Sequence, residues 1–305
     1  MATSKNTIGL EVKTNIEDYP HLTLVENEKA SGYAYDINKN QFEVLVKFKQ
    51  SCLEENLVPN FDYFDDYYLL KFCRARKFIL EKVLKFFRNF IEWRRKEDVD
   101  NIDLNFHYTE NLEVRKIFPH GYHKTDKKGR PLYYQMISKI DVEKMLKVTT
   151  EDRLIRHLVQ EYEQVMKYKL KACSKAKGEL IEQYTIILDL EGIGISSLFG
   201  SQKNFVVKIL KVGQDYYPEN MAKMFLINTN SFFSLLYNIV KNFIDPKSVA
   251  KIDVLGKDYQ SKLLEYIDAD NLPSIFGGNC VCPEIEGGCL FSDYGPWNPD
   301  GQLIT

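Results

Sequence analysis

Apolar residues at helical spacing first gather after residue 40. Phe42, Leu45, Phe48, Cys52 and Leu53 fall on one helical face, and Pro59-Asn60 supplies a stop. A short second helix is predicted after Asp65 and Asp66, either of which can cap it. A third carries Leu80, Val83, Leu84, Phe87, Ile91 and Arg94 on one face, among the clearest amphipathic patterns in the chain. Residues 1–40 are polar, with dispersed Tyr19, Tyr33 and Tyr35 and no sustained period, and are expected to form an extended arm that wraps the body.

Beyond Phe118-Pro119 the period changes. Tyr122-His123-Lys124 and Leu132–Ile137 read as strands joined by the glycine-containing turn Asp126-Lys127-Lys128-Gly129-Arg130, a hairpin pattern. Thr149 with Asp152 three positions on predicts a helix start, and Leu154, Leu158, Tyr162, Val165 and Tyr168 continue that helix toward Gly178. Three apolar runs follow, Tyr184–Leu190, Lys223–Ile227 and Lys251–Leu255, separated by helical patterns around Phe205–Val212 and Phe232–Phe243. Such alternation predicts βαβ units with right-handed crossovers, hence an α/β fold with a mostly parallel sheet covered by helices. A last helix, Asp258–Ile267, precedes a tail rich in glycine and proline.

Composition narrows the function classes. A length of 305 residues allows one large domain and a smaller one. Hydrophobic residues make up 44% and charged residues 28%, values of an ordinary globular protein. Lys and Arg total 41 against 43 Asp and Glu, a net charge of -2, which argues against a general nucleic-acid binder. The residues from Met1 to Leu10 lack the apolar segment of a secretory signal, so a cytoplasmic location is expected. The six cysteines are then expected to be free, buried thiols. Cys280, Cys282 and Cys289 invite a zinc site, but no nearby histidine or fourth cysteine completes a tetrahedral set, so no metal is expected.

Catalytic and nucleotide motifs are absent. Gly192-Ile193-Gly194 is followed by Gly200, not by the spacing of a dinucleotide-binding loop, and reads as a turn. No G-x-S-x-G or H-E-x-x-H run occurs. Asp189 and Glu191 could form an acid–base pair, but capping or ion pairing is the ordinary role at a strand end. Arg74-Ala75-Arg76-Lys77 and Arg94-Arg95-Lys96 sit at predicted helix C-termini, where a solvated face and a phosphate-binding patch are both open. In the helix after Asn230, Phe232, Leu235, Leu236 and Ile239 lie on one side and Phe233, Tyr237 and Val240 on another. A helix apolar nearly all round wants burial on both faces, or burial on one and lipid on the other.

Several of these segments together resemble the CRAL-TRIO lipid-transfer family. They are Leu69-Leu70-Lys71-Phe72-Cys73-Arg74-Ala75-Arg76-Lys77-Phe78, Tyr122-His123-Lys124-Thr125-Asp126-Lys127-Lys128-Gly129-Arg130-Pro131, Tyr216-Tyr217-Pro218-Glu219, Asn271-Leu272-Pro273 with Phe276-Gly277-Gly278, and Gly295-Pro296-Trp297. The resemblance runs in unbroken order from about residue 40 to 298 and is nearest to phosphatidylinositol- and phosphatidylcholine-carrying members. It implies an arm at 1–40, a small N-terminal helical domain at 41–105, a lipid-binding domain at 106–280 whose sheet floors a lipid pocket, and a tail at 281–305. A helical gate would span Ser231–Phe243, with Phe232, Phe233, Leu235 and Leu236 as its apolar contacts.

Carried over by residue type, the resemblance implies an inositol-headgroup site of Arg76, Glu219, Ser248 and Lys251, and a second-lipid site at Tyr122, Tyr133 and Tyr162. Where the family has two small hydroxyl residues on the central strand, this chain has Tyr184 and Ile186, which should weaken or reshape that second site, with phosphatidylcholine or a more apolar lipid such as a sterol as the second cargo. The implied protein is a non-enzymatic, cofactor-free, monomeric phospholipid carrier. It would act transiently at membranes such as Golgi or endosome in vesicle trafficking and would present lipid to lipid kinases. A membrane-docking scaffold holding a structural or sterol-like lipid is the alternative.

Overall fold

The computed structural model of the chain describes residues 11–193, 200–241 and 246–303, without the side chains at 138, 200–206, 236, 239 and 240. It divides into two compact units, Met1–Asp100 and Asn101–Thr305.

Among the described residues of the first unit, three α-helices build its body: α1 (Lys39–Glu54), α2 (Asp66–Ala75) and α3 (Leu80–Lys96). Asn38 caps α1 reciprocally with Gln41, and Asp65 rather than Asp66 caps α2 by accepting from the Tyr68 amide at 2.8 Å. Their apolar stripes meet in an aromatic core, where Phe87 stands edge-on to both Phe48 and Phe72 at 5.0 Å. The described part of the arm folds back onto this unit, burying Tyr19, Leu22, Ala30, Ala34 and Ile37. Of the two basic clusters, Arg74 and Arg94 are not solvated. Arg94 is 1% exposed and forks onto Asp100 among the rings of Tyr63, Phe64 and Phe90.

The second unit opens with short helices α4 (Ile102–Asn105) and α5 (Asn111–Ile117), then the hairpin β1 (His120–Thr125) and β2 (Pro131–Met136). Asp126 shapes its turn by accepting from the amides of Lys128 and Arg130, with Gly129 at φ +79°. Next come α6 (Val142–Val148) and α7 (Glu151–Gln164), then a π-helical turn at Val165–Lys169 leading into α8 (Leu170–Lys177). Thr150, not Thr149, caps α7, while the Thr149 hydroxyl turns away to bond Glu110 at 2.8 Å. β3 (Tyr184–Asp189), α9 (Gly200–Tyr216), β4 (Met221–Ile227), α10 (Ser231–Val240), α11 (Pro246–Val249), β5 (Ile252–Val254) and α12 (Gln260–Tyr266) complete the unit. Asp189 at the end of β3 accepts from the Glu191 amide and from Asn228, a turn-shaping role. Gly192 stands at φ +73°, while Gly194 lies outside the described residues.

Among the described residues the sheet has five strands in the order β1-β2-β3-β4-β5, antiparallel between β1 and β2 and parallel between the other neighbours. One face is sealed: Leu132, Tyr134, Met136, Ile187, Phe225 and Ile227 pack against Leu263, Ile267, Leu272 and Phe276 from α12 and beyond. A Cβ on Gly278 would stand 2.0 Å from the Leu272 carbonyl oxygen, so this turn admits only glycine. The C-terminal segment is tied to the sheet. Tyr134 donates to the Cys289 carbonyl at 3.2 Å, the Tyr294 carbonyl accepts from the Lys124 amide at 2.6 Å, and Asp293 pairs with buried Lys169. All six cysteines are free and buried, and His123 of β1, remote in sequence, joins Cys280, Cys282 and Cys289. The expectation that no histidine reaches these thiols is therefore corrected: the hairpin fold delivers one.

Beside β1 the unit buries a polar cluster on α5, β1 and α7. The Glu161 carboxylate lies 3.7 Å from Arg115, 3.8 Å from His120 Nε2 and 4.0 Å from His157 Nε2. Burial, with help from the Arg115 charge, pulls His120 down to about 3; burial pulls His157 to about 4 against the opposing Glu161 charge.

Two outcomes are expected. Because both imidazoles sit below their ordinary 6.5 when folded, the unfolded chain takes up their protons first as pH falls. Their contribution is complete above that value and is lost through the window down to about 4 and then 3. Urea unfolding at a series of pH values should show this decline, up to about 1.4 kcal/mol per pH unit per histidine, with a shallower slope in His157→Phe. Gly278→Ala should lower stability by about 1–3 kcal/mol, read by thermal unfolding, because the methyl group meets backbone that cannot swing aside.

Candidate functional site

The sheet face opposite the sealed core follows from strand alternation, since residues facing each other across adjacent strands share a face. Tyr122, Tyr133, Ile186, Met224 and Ile252 stand in register across all five strands. One step along, His120, Gln135, Leu188, Leu226 and Val254 form a second row. Tyr184, two residues before Ile186, adds its ring to the first row, 5.8 Å from Tyr122 and 6.5 Å from Tyr133, and Tyr122 and Tyr133 are themselves 5.0 Å apart. Tyr162 on α7 shares a side-chain hydrogen bond with Tyr184. The structure thus brings together all five residues expected at a second-lipid site. Burial pushes the hydroxyls of Tyr122, Tyr133 and Tyr184 well above their usual range and that of Tyr162 up to about 12, so they present neutral O–H groups.

A cavity of about 470 Å³ opens beside Tyr122. Arg115, His157, Glu161, Lys169, Asp293 and Trp297 contribute to its wall. Arg115 Nη1 and Trp297 Nε1 are buried without a hydrogen-bond partner among the described residues, and the His157 ring lies buried in the same wall beside Gln160. Each can donate to, or exchange hydrogen bonds with, a polar group entering the cavity. Lys169 Nζ meets Asp293 at 2.6 and 2.7 Å and lies over the rings of Tyr122 and Trp297. These wall residues were not singled out from the sequence. His157 and Glu161 do carry one readable signal, the i, i+4 spacing that stacks two side chains on one helical face, whereas Arg115, Lys169 and Asp293 are assembled only by the fold.

A charged group stands at the N-terminal ends of β4 and β5. Lys251 Nζ approaches Glu219 Oε2 at 3.5 Å and donates to the Met221 carbonyl at 3.1 Å, and the Lys251 amide donates to the Ser248 carbonyl at 3.1 Å. Both charged side chains are 24% exposed, so the pair is only partly desolvated and stays open to a further partner. Glu219 adopts φ +59°, uncommon for a residue other than glycine. Its position is enforced from both sides: Gln183 Nε2 donates to the carbonyls of Glu219 and Met221, and Tyr217 stacks on Tyr162 at 4.4 Å while donating to Glu163. Gln183 is a positioning residue the sequence reading missed. Glu219 and Lys251 therefore converge, and Ser248 is joined to Lys251 through the backbone. Arg76, at the end of α2 in the first unit, stacks its guanidinium 3.6 Å over Phe86.

The helix with two apolar sides is α10. Asn230 caps it by accepting from the Phe233 amide at 2.9 Å and donates to the Ile193 carbonyl at 2.7 Å. Leu235 is 63% exposed, and Phe232 and Phe233 are half-buried. The Leu236 side chain and Phe243 lie outside the described residues. Among the described residues, no helix is long and apolar enough to cross a membrane.

Comparison with known proteins places this architecture. Residues 115–278 match the family model of the CRAL/TRIO domain. The Schizosaccharomyces pombe protein named Sec14 cytosolic factor is 45% identical over 269 residues, covering 88% of this chain and 92% of that protein. The Arabidopsis thaliana protein named phosphatidylinositol/phosphatidylcholine transfer protein SFH4 is 43% identical over 265 residues, 87% of this chain. The chain spans about half the length of such Arabidopsis relatives, 43% to 49%. A solved structure titled "Crystal structure of Sfh5" superposes with a TM-score of 0.59 at 17% identity, covering 79% of this chain and 88% of that one, a likeness of fold. A family model matched over more than half of the chain, and relatives this similar over most of it, establish that the chain belongs to the CRAL/TRIO domain family.

Proposed function

We propose that this protein is a lipid carrier that takes one phospholipid onto the open face of its sheet, with phosphatidylinositol as principal cargo, and exchanges it between membranes. The observation that carries the reading is the row Tyr122–Tyr133–Ile186–Met224–Ile252, apolar and aromatic across every strand, with the partly exposed Glu219–Lys251 pair at one end of the sheet. The names of the relatives, phosphatidylinositol/phosphatidylcholine transfer proteins among them, support it.

The physical logic is one of solvation. Each methylene exposed to water costs about 0.8 kcal/mol, so a two-chain lipid needs an apolar cover to cross an aqueous space. Acyl chains would lie along the sheet rows, and α10, with Leu235 outward and Phe232 and Phe233 half-buried, would act as the gate that meets the bilayer. Lys251 would bind the phosphodiester as a cation, and Glu219 would accept from inositol hydroxyls, with Ser248 alongside; Arg76 is the further cation that the resemblance implies for headgroup binding. No covalent step is required, so the protein would serve as carrier or presenter to lipid kinases at membranes such as Golgi or endosome.

Tyr184 and Ile186 bear on the second cargo. Tyr184 points a neutral phenol toward Tyr162, and Ile186 offers no donor in the row where a choline phosphate would need one. A lipid with a smaller polar group, such as a sterol, fits that chemistry better than phosphatidylcholine.

Two measurements test the proposal. Lipids co-purifying with the folded protein, identified by mass spectrometry, should include phosphatidylinositol. Lys251→Ala should lower its vesicle-to-vesicle transfer by about tenfold or more, as expected for loss of a charge-assisted hydrogen bond, and Arg76→Ala/Lys251→Ala should remove the bound lipid. Unchanged inositol-lipid transfer in the double variant would overturn the headgroup assignment and favour a docking scaffold. Tyr184→Ser/Ile186→Thr should raise phosphatidylcholine transfer by about tenfold relative to the parent chain, and no rise would sink the assigned role of these two positions.

A further inference from the structure

Away from the sheet face and its cavity, the C-terminal segment builds a compact soft-donor cluster against β1. A ring nitrogen of His123 and the sulfurs of Cys280, Cys282 and Cys289 all lie within 4.8 Å of one another, and all four residues are buried. Cys282 Sγ is 3.5 Å from Cys280 Sγ and 3.3 Å from Cys289 Sγ, while Cys289 Sγ also approaches the Cys280 carbonyl at 3.2 Å. A tetrahedral zinc with Zn–S bonds of about 2.3 Å separates its sulfurs by about 3.8 Å, close to the spacing found here. A disulfide would need sulfurs about 2.05 Å apart and would leave one of three thiols over.

The histidine supplies an independent observation. Ser292 Oγ donates to the Cys289 carbonyl at 3.0 Å, so it can accept from His123 Nδ1, which lies 2.7 Å away. That arrangement puts the ring proton on Nδ1 and leaves Nε2 as a bare lone pair. His123 is 0% exposed, and its Nε2 has no hydrogen-bond partner among the described residues. A buried acceptor without a partner is costly, and a metal-binding histidine has this form: one nitrogen held by an outer hydrogen bond, the other on the ion.

The backbone is bent to make the cluster. Cys282 adopts φ +47°, and Gly287 and Gly288 adopt φ +86° and +69°, turning the chain so that Cys289 returns to Cys280 and Cys282. We propose that His123, Cys280, Cys282 and Cys289 form a structural zinc site of the Cys3His type, which fastens the C-terminal segment to β1. Three thiolates and one imidazole close the coordination sphere, so the site holds the fold and has no open position for catalysis. Lys124, beside the Cys280 sulfur, would offset the single net negative charge of such a centre. The consequence reaches the candidate site, because β1 carries Tyr122 and the fastened segment carries Asp293, the partner of Lys169.

The test uses the full chain, purified under reducing conditions without chelator, and does not depend on any lipid. Metal analysis should find close to one zinc per chain. After chelation, titration with Co²⁺ should saturate at one equivalent with the absorption of a tetrahedral thiolate-bound ion, and the metal-free chain should unfold at a lower temperature. Cys282→Ser and His123→Ala should lose stoichiometric binding, whereas Cys173→Ser, a buried thiol outside the cluster, should keep it. If the cluster variants do not fold, the Co²⁺ titration of the parent chain decides alone. A parent chain that neither contains zinc nor takes up Co²⁺ with a thiolate spectrum, or in which two of the three thiols are found as a disulfide, overturns the proposal.

Discussion

The second unit depends on one constraint: a mostly parallel sheet must be covered on both faces, and along each regularly paired stretch side chains alternate between those faces. Sealing one face with α12, Leu272 and Phe276 commits Leu132, Tyr134, Ile187 and Phe225 inward and thereby commits their neighbours to the other side. That other side carries Tyr133, Met224, Ile252 and Val254, all half-buried. A slip of one residue between strands would turn both sets over, so the core and the open rows are two readings of a single register.

Polar groups then fix where the rows end. At β1, Arg115, His120, His157 and Glu161 are held together with little water access, and Lys169 meets Asp293. Burial lowers the proton affinity of Lys169 even with Asp293 beside it, a sign that desolvation outweighs the attraction there. Buried charges of this kind add little net stability over an apolar substitute, but they tolerate few alternative packings. At β4 and β5, by contrast, Glu219 and Lys251 keep access to solvent, and the unusual backbone of Glu219 is held by Gln183 and by the stacked Tyr162 and Tyr217. One end of the face is closed and internally paired, and the other is open and charged.

Much of this was legible along the chain because it rests on local periodicity. The stripe Val83, Leu84, Phe87, Ile91 and Arg94 specifies α3 and its buried face, and the runs ending at Leu190, Ile227 and Leu255 specify β3, β4 and β5. Strand ends moved by a residue or two, since the last apolar residue of a run need not be the last to pair. The cap of α7 moved from Thr149 to Thr150 because two adjacent threonines offer the same chemistry and only the tertiary partner Glu110 decides between them. Residues brought together over long separations were not legible at all. His123 beside Cys289, Asp293 on Lys169 and Arg115 beside Glu161 have no local signature. The solvated face left open for Arg74 and Arg94 is not what forms: their long stems and flat guanidinium groups are buried against aromatic rings, Arg94 on the stripe of α3 where its spacing had already placed it.

The π-helical turn at Val165–Lys169 joins α7 to α8 without interrupting the helix, and it carries one residue more than an α-helical turn would. Each residue of an α-helix advances the azimuth by about 100°. Everything downstream of the turn is thus rotated, relative to Glu161 and Tyr162, by about that angle. Lys169 faces Asp293, and Leu170 and Cys173 face inward, only in this phase. A single-residue deletion in the turn would regularise the helix and improve its backbone bonding, yet swing Lys169 out of alignment with the tail. The widened turn is in that sense a counting device, by which one helix serves two surfaces that no uniform pitch could satisfy together.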